Sequence, residues 1–359
     1  MSSPAPAPAA PPTTVRWGIL GCGDVTEVKS GPGFRKAHGS QLVAVMRRNA
    51  TLAADYARRH GVPRAYADAR ALVHDPEVDA VYVATPPGAH LEGALLAAAA
   101  GKPCYLEKPM ARHTAECDAL IAAFAAAQQK LFVAYYRRAL PRFEKVRALL
   151  EGRAIGQLTG INYRFAAPTP ANADPAQNAW RVSAAHAGGG LFLDVGSHVL
   201  DFLDHCVGPL EAVHGRAARL ASSADVEDAV AMTFRTAAGA LGSASWNFAT
   251  TAKEDTLEFF GTAGRLAFTV FNAEPIRLET ASGTESFAIA NPEHVAQPLI
   301  QLIVDDLLGR GTCPSTGESA RRTSVVMDRV LEDYYGGRTD AFWLRPATWP
   351  GRSSTHAQP

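Results

Sequence analysis

The feature that most constrains this chain is an alternation, from Val15 to about Arg138, of short apolar runs with amphipathic helical stretches. The runs Val15–Leu20, Gln41–Met46, Asp79–Ala84, Pro103–Leu106 and Leu131–Ala134 have the length and composition of strands. Between them, 50–60, 91–100 and 115–128 carry helical periodicity, and each closes on a glycine or a polar turn. A repeated strand–helix–strand order makes the strands parallel, because each helix carries the chain back across the sheet, and it covers both faces. The expected fold class is therefore α/β, opening with a doubly wound parallel sheet over residues 15–138.

The pattern changes after Pro141. A helix over 143–150 leads to a strand, Leu158–Phe165, then to a Pro/Ala/Asn-rich loop at 166–179. Gly188–Gly190 open a helix running to about Cys206. Period-two alternation follows in Val230/Met232/Phe234, Trp246/Phe248, Leu257/Phe259, Leu266/Phe268/Val270, Ile276/Leu278 and Phe287/Ile289, joined by glycine-bearing turns as hairpins require. Helices over 294–308 and 320–335 end the pattern. Residues 139–350 are thus expected to form an α+β domain on an open, mainly antiparallel sheet. Two domains suit 359 residues, more than one core usually organises. The Pro/Ala tract 1–14 and residues 351–359 read as flexible tails.

Lys+Arg and Asp+Glu both number 35, which argues against a basic field for nucleic acid or acidic membranes. No apolar stretch is long enough to span a bilayer. The five cysteines are widely spaced with no CxxC pair, so no zinc site or other metal site is expected. Residues 1–14 lack the features of a signal peptide, and free thiols suit a cytoplasmic protein.

The first strand runs into Gly21-Cys22-Gly23-Asp24-Val25-Thr26. Gly21 suits the tight turn, and Gly23 lets the backbone approach a pyrophosphate at the following helix N-terminus. This GxG after an apolar strand points to dinucleotide binding in a Rossmann domain, although Thr26 stands where a third small residue is usual. An NAD site normally places an acidic residue at the tip of the second strand. Here the tip reads Met46-Arg47-Arg48-Asn49, and two arginines suit a 2′-phosphate. NADP(H) is favoured, with NAD(H) left open, and Lys29 and Ser30 are possible helpers at that phosphate.

Ala84-Thr85-Pro86-Pro87 and His90 lie at the carboxyl end of a parallel strand, where such folds bind ligands. Glu107-Lys108-Pro109 ends the next strand, and a lysine there could carry the proton of a substrate oxygen. Standing alone, this tripeptide would better suit a surface lysine before a turn. Asp194 and His198 follow the triple glycine four residues apart, so they share a helix face, and a carboxylate there could orient the imidazole. A purely structural pair fits the same spacing.

Together these pieces resemble the glucose–fructose oxidoreductase, inositol dehydrogenase and rhizopine-catabolism (Gfo/Idh/MocA) family. The resemblance is carried by Gly21-Cys22-Gly23, by 78–87 with His90, by Gly101-Lys102-Pro103, Glu107-Lys108-Pro109 and Trp180-Arg181, and by 188–190 leading to Asp194 and His198. It implies that Lys108 is a catalytic lysine before a cis proline. It also implies that Asp194 and His198 are catalytic, and that Trp180-Arg181 lies near the nicotinamide. The open sheet would form the interface of a homodimer or homotetramer.

The implied activity is reversible hydride transfer between NADP(H) and a carbinol carbon of a sugar, polyol or related small hydroxylated substrate. Two other readings stay open, a dinucleotide-sensing regulator without catalysis and a glycosidase that uses a held dinucleotide. The intact Lys108, Asp194 and His198 speak against the regulator.

Overall fold

The computed structural model describes residues 13–169 and 179–352. Its first sheet has six parallel strands: β1 (Val15–Leu20), β2 (Ser40–Met46), β3 (Arg64–Tyr66), β4 (Ala80–Val83), β5 (Cys104–Leu106) and β6 (Leu131–Val133). Their order is β3-β2-β1-β4-β5-β6, so the direction of winding reverses between β1 and β4. That reversal opens a crevice at the carboxyl ends of these two strands, where doubly wound folds take their ligands. The connecting helices are α1 (Asp24–Val28), α2 (Gly31–Lys36), α3 (Ala50–His60), α4 (Ala69–Val73), α5 (His90–Ala99) and α6 (Thr114–Ala126).

Sequence periodicity missed β3 and α4. Both are short, and β3 is a sheet edge with no fully buried residue, so it lacks the apolar run that marks the inner strands. The inner strands have one because each is covered twice. On one face Trp17, Phe34, Tyr82 and Tyr105 stack with successive ring centroids 4.9, 5.2 and 4.8 Å apart. On the other face the cover includes Leu72, Ala94 and Leu120, all fully buried.

After α7 (Pro141–Glu151) the chain builds an eight-stranded sheet from β7 (Leu158–Ala166), β8 (Leu210–Ala218), β9 (Ala229–Thr236), β10 (Leu241–Asn247), β11 (Glu254–Gly261), β12 (Gly264–Phe268), β13 (Ile276–Thr280) and β14 (Gly283–Phe287). The order is β14-β13-β12-β11-β7-β10-β9-β8, antiparallel except for the β7–β10 pair. Edge strand β8 also escaped the sequence reading, because its burial barely alternates.

Before β8 come a single turn, α8 (Ala184–Ala187), and α9 (Leu191–Val207), which lies on the inner face of this sheet. There Phe192 meets Trp246 at 4.8 Å and Phe202 meets Phe268 at 5.7 Å. Two late helices return toward the first sheet. Leu299, Ile300, Ile303 and Val304 of α10 (Gln297–Leu307) fill the Trp17/Phe34 side of its core, and α11 (Gly317–Tyr335) packs on both α6 and α9.

A buried ion cluster fixes α9 against the end of β6. Arg138 donates to Asp201 Oδ1 at 2.8 Å and Asp204 Oδ2 at 2.9 Å, and Arg322 of α11 donates to Asp204 Oδ1 at 2.7 Å. Such a cluster costs desolvation but tolerates only one docking of the helix. The arrangement brings Asp194 and His198 of α9 over the carboxyl edge of the first sheet.

Candidate active site

The β1–α1 turn is built as the glycines suggest. Gly21 has φ +88°, and a Cβ there would sit 2.8 Å from Thr85 Cγ2. Its N–H and that of Cys22 donate to Met46 O at 2.9 and 3.1 Å, tying the turn to the tip of β2. Cys22 is buried, and that burial pushes its thiol up to about 11, so it is a packing residue of the turn. A Cβ on Gly23 would meet only Gly21 O, at 3.9 Å, so the backbone of Gly23 and exposed Asp24 stays open to a ligand, with Val25 half-buried beside it.

Thr26 explains the departure from a third small residue. It is fully buried, and its Oγ1 donates to Gly23 O at 2.7 Å while accepting from Gly23 N at 3.0 Å. The hydroxyl closes the turn internally. Tyr56 of α3 then donates to Thr26 O at 2.9 Å and anchors α1 to the sheet.

At the tip of β2, Arg47 and Arg48 are exposed, and neither side chain makes a hydrogen bond or ion pair among the described residues. The neighbouring cations are committed. Arg59 donates to Glu27 at 2.7 Å, His60 Nε2 lies 2.6 Å from the same carboxylate, and Arg58 and Arg59 both bridge to Asp55. The hydrogen bond from Arg59 leads the interactions that hold Glu27 down at about 2. The residues here fit a dinucleotide, with an open glycine backbone at the turn and two uncommitted guanidinium groups at the adjacent strand tip.

Ala84 continues β4 by donating to Leu20 O at 2.8 Å, while Pro86 is exposed and Pro87 buried. His90 corrects its sequence reading as a cofactor contact. It is fully buried, with Nε2 2.8 Å from Thr85 O and Nδ1 3.0 Å from Pro109 O. Main-chain carbonyls lie at both nitrogens, so His90 clamps the β4 loop to the β5 loop. Glu107 is also held internally, accepting from Tyr82 OH at 2.5 Å and from Lys108 N at 3.1 Å.

Lys108 precedes a cis peptide to Pro109, and its side chain is 12% exposed. Its Nζ donates to the Asp194 carboxylate and, at 3.0 Å, to Asp194 O. Arg181, in a 3-10 turn over 179–182, donates to the other carboxylate oxygen at 2.6 Å and lies 4.7 Å above the Trp180 ring. Burial raises the Asp194 pKa, but Lys108 and Arg181 outweigh it and hold the group at about 2.

The expectation that Asp194 orients His198 is not met. The two share a face of α9, yet the carboxylate goes to two cationic donors, which bind it more strongly than a neutral imidazole would. His198 is 6% exposed, and its Nδ1 is buried with no hydrogen-bond partner among the described residues. Burial, then Arg137, Lys108 and Lys29, hold His198 well below the usual histidine range, so the ring is neutral.

That set of charges names residues the sequence reading missed or misplaced. Lys29 caps the end of α1, where its charge reaches His198 and Asp194, and Ser30 is buried beside Tyr82. Tyr136 and Phe271 stand edge-on to His198 at 5.3 and 6.1 Å, with Arg137 behind both. The signal for Tyr136-Arg137 was their place just past β6, at the same carboxyl edge as Lys108. A separate cavity of about 1170 Å³ lies beyond Arg181, lined in part by Ser183, Ala185, Phe248 and Trp349. Among the described residues no group of three or more His, Cys, Asp or Glu could hold a metal ion, and no helix is long and apolar enough to cross a membrane.

With this geometry in place, two family models match the chain. Residues 15–135 match the oxidoreductase family with an NAD-binding Rossmann fold, and 143–267 match the GFO/IDH/MocA C-terminal domain. Oxidoreductase P35 of Formosa agariphila is 35% identical over 322 residues, 88% of this chain and 97% of that protein. The chain belongs to the GFO/IDH/MocA family of oxidoreductases.

The 1,5-anhydro-D-fructose reductase of Ensifer adhaerens is 30% identical over 84% of this chain and 91% of its own. Among solved structures, a levoglucosan dehydrogenase in complex with NADH and levoglucosan superposes with a TM-score of 0.80 at 24% identity, covering 89% of this chain and 96% of that one. This GFO/IDH/MocA member is an NAD(P)-dependent dehydrogenase or reductase with a Rossmann sheet and a mostly antiparallel second sheet.

Proposed function

We propose that this oxidoreductase uses NADP(H) and acts at a carbinol or carbonyl carbon of a sugar, polyol or related small hydroxylated compound, with Lys108 managing the proton at the substrate oxygen. The observation that carries this reading is the position of the Lys108 ammonium. It stands at the carboxyl end of β5, nearly buried, and is held by both the carboxylate and the carbonyl of Asp194.

A bound nicotinamide dinucleotide supplies the hydride acceptor or donor. The open backbone at Gly21–Val25 is the proposed cradle for its pyrophosphate, and Ala84–Pro87 would line the nicotinamide end. Trp180 and Arg181 would lie beside it; Arg181 stacks on Trp180 and donates to Asp194.

Lys108 donates a proton to a carbonyl oxygen in reduction and accepts one in oxidation. Neutral His198, with Nδ1 unsatisfied, offers a second group at that oxygen. Fixed donors in a mostly dry pocket stabilise a developing alkoxide more strongly than water would.

Support for NADP(H) comes from Arg47 and Arg48, uncommitted at the β2 tip, and from the absence of an acidic residue at 46–49. The outer face of the second sheet is the proposed contact of a dimer or tetramer.

Fluorescence titration of the dinucleotide-free protein with NADPH and NADH in parallel tests the cofactor assignment. Tighter NADPH binding is expected. Tighter NADH binding would overturn the preference, and binding of neither would overturn the reading.

A further inference from the structure

Arg137 is a buried cation without a counter-ion. Its residue is 6% exposed, and no carboxylate lies within ion-pair distance of it among the described residues. Nη1 donates to Tyr136 OH at 2.9 Å, and Nε is buried with no hydrogen-bond partner among the described residues. The guanidinium carbon sits 4.6 Å from the Phe271 ring centre and 5.1 Å from that of Tyr136, the two rings that flank His198. Aromatic faces return only part of the cost of removing a guanidinium from water.

The surrounding charges do not fill the gap. Asp194 is taken by Lys108 and Arg181. Asp255, also buried, accepts from the main-chain N–H groups of Val270 at 3.1 Å, Phe271 at 2.6 Å and Asn272 at 3.2 Å, and from Tyr163 OH at 3.2 Å. Arg142 spends its donors on the carbonyls of Asn272 and Glu274, so it adds a further positive charge to this wall. Lys29, exposed at the end of α1 with no ion pair among the described residues, adds its positive charge to the field around Asp194 and His198. Around one committed carboxylate at the reacting end, the pocket therefore gathers Lys108, Arg181, Arg137 and Lys29.

We infer that the substrate is anionic, a hydroxylated compound carrying a carboxylate such as a sugar acid, whose carboxylate pairs with Arg137. This rests on the oxidoreductase reading of the same site. A guanidinium binds a carboxylate through two parallel hydrogen bonds, and Arg137 has unused nitrogens for this. Lys29, exposed at the rim, contributes a second positive charge.

The test uses the protein with its dinucleotide and compares D-glucuronate and D-galacturonate with D-glucose and D-galactose. Ligand-detected NMR on the NADPH complex reads binding, and NADPH formation from NADP+ reads turnover. The expected result is preference for the acids by about ten- to a hundred-fold, the size of a charge-assisted hydrogen bond. Arg137→Met should collapse the acid-to-neutral ratio toward unity, and Arg137→Lys should recover part of it. Lys29→Met, at an exposed site where folding is not at stake, should lower the ratio several-fold. Neutral sugars turned over as well as the acids, with ratios unmoved by Lys29→Met, would overturn the inference and leave the oxidoreductase reading intact. Failure of either acid to bind the NADPH complex, with NADPH itself bound, would also overturn it.

Discussion

Lys108 and Asp194, 86 positions apart in the chain, are joined twice, since the lysine ammonium donates to both the carboxylate and the main-chain carbonyl of the aspartate. The contact spans the first sheet and α9, so Lys108 is held by the helix that faces it. It also determines what Asp194 is for. The carboxylate arranges two cations, Lys108 and Arg181, and leaves the neighbouring imidazole unbonded.

Asp194→Asn should therefore lower turnover by about ten-fold or more, because an amide cannot hold two cationic donors. Its effect on stability has a defined sign. The folded pKa of about 2 lies below the ordinary carboxylate value of 3.8, so the stabilising contribution is complete above pH 4 and disappears as pH falls through 2. Urea unfolding should show a constant gap between wild type and variant at pH 7 and pH 5, closing in acid. A gap that widens in acid would refute this.

His198 acts in the same direction at a milder pH. Its folded pKa is held well below 6.5 by burial and by nearby cations, so below pH 6.5 the unfolded chain takes up a proton that the native state refuses. That costs the native state up to about 1.4 kcal/mol for each pH unit below about 6.5. Between pH 7 and pH 5, His198→Gln should lose less stability than wild type in chemical denaturation. Buried His90 and His113 contribute equally to both proteins, and identical slopes would contradict the assignment.

Replacing Arg47 and Arg48 together with alanine should weaken NADPH binding by about ten- to a hundred-fold, the loss of charge-assisted contacts, with NADH affinity nearly unchanged. Parallel weakening of both dinucleotides in a fluorescence titration would place these arginines outside the 2′-phosphate contact.

Gly190 begins α9, and a Cβ there would come within 2.1 Å of Glu227 O. Its N–H donates to the buried Glu227 carboxylate at 3.0 Å, and Tyr335 OH donates to the same group at 2.5 Å. Gly190→Ala should cost roughly 1–3 kcal/mol by overpacking and displace the helix that carries Asp194 and His198. An unchanged melting temperature would show that this junction yields freely.

Much of this was legible in the sequence because its signals are local. Each inner strand of the first sheet is covered on both faces and so appears as an apolar run, and the motifs at Gly21, Lys108 and Gly188–Gly190 occupy strand or helix ends. Edge strands β3 and β8 lacked such runs.

Side-chain commitments were harder to read, because partners distant in sequence decide them. Spacing allowed Asp194 to pair with His198, but Lys108 and Arg181 took the carboxylate. Arg137 and Arg138 are adjacent and look alike. One is consumed by Asp201 and Asp204, more than 60 positions away, and among the described residues the other meets aromatic rings and a tyrosine hydroxyl. Thr26 departs from the third small residue usual in this turn, and its hydroxyl closes the turn through Gly23 instead.

The most direct test is to compare wild type with Lys108→Ala, following NADPH formation from NADP+ with hydroxylated substrates and measuring NADPH affinity alongside. Turnover should fall by about a hundred-fold or more with affinity nearly unchanged, as expected for loss of the group that carries the substrate proton. Equal turnover in the two proteins would contradict the proposed role of Lys108 and the mechanism built on it.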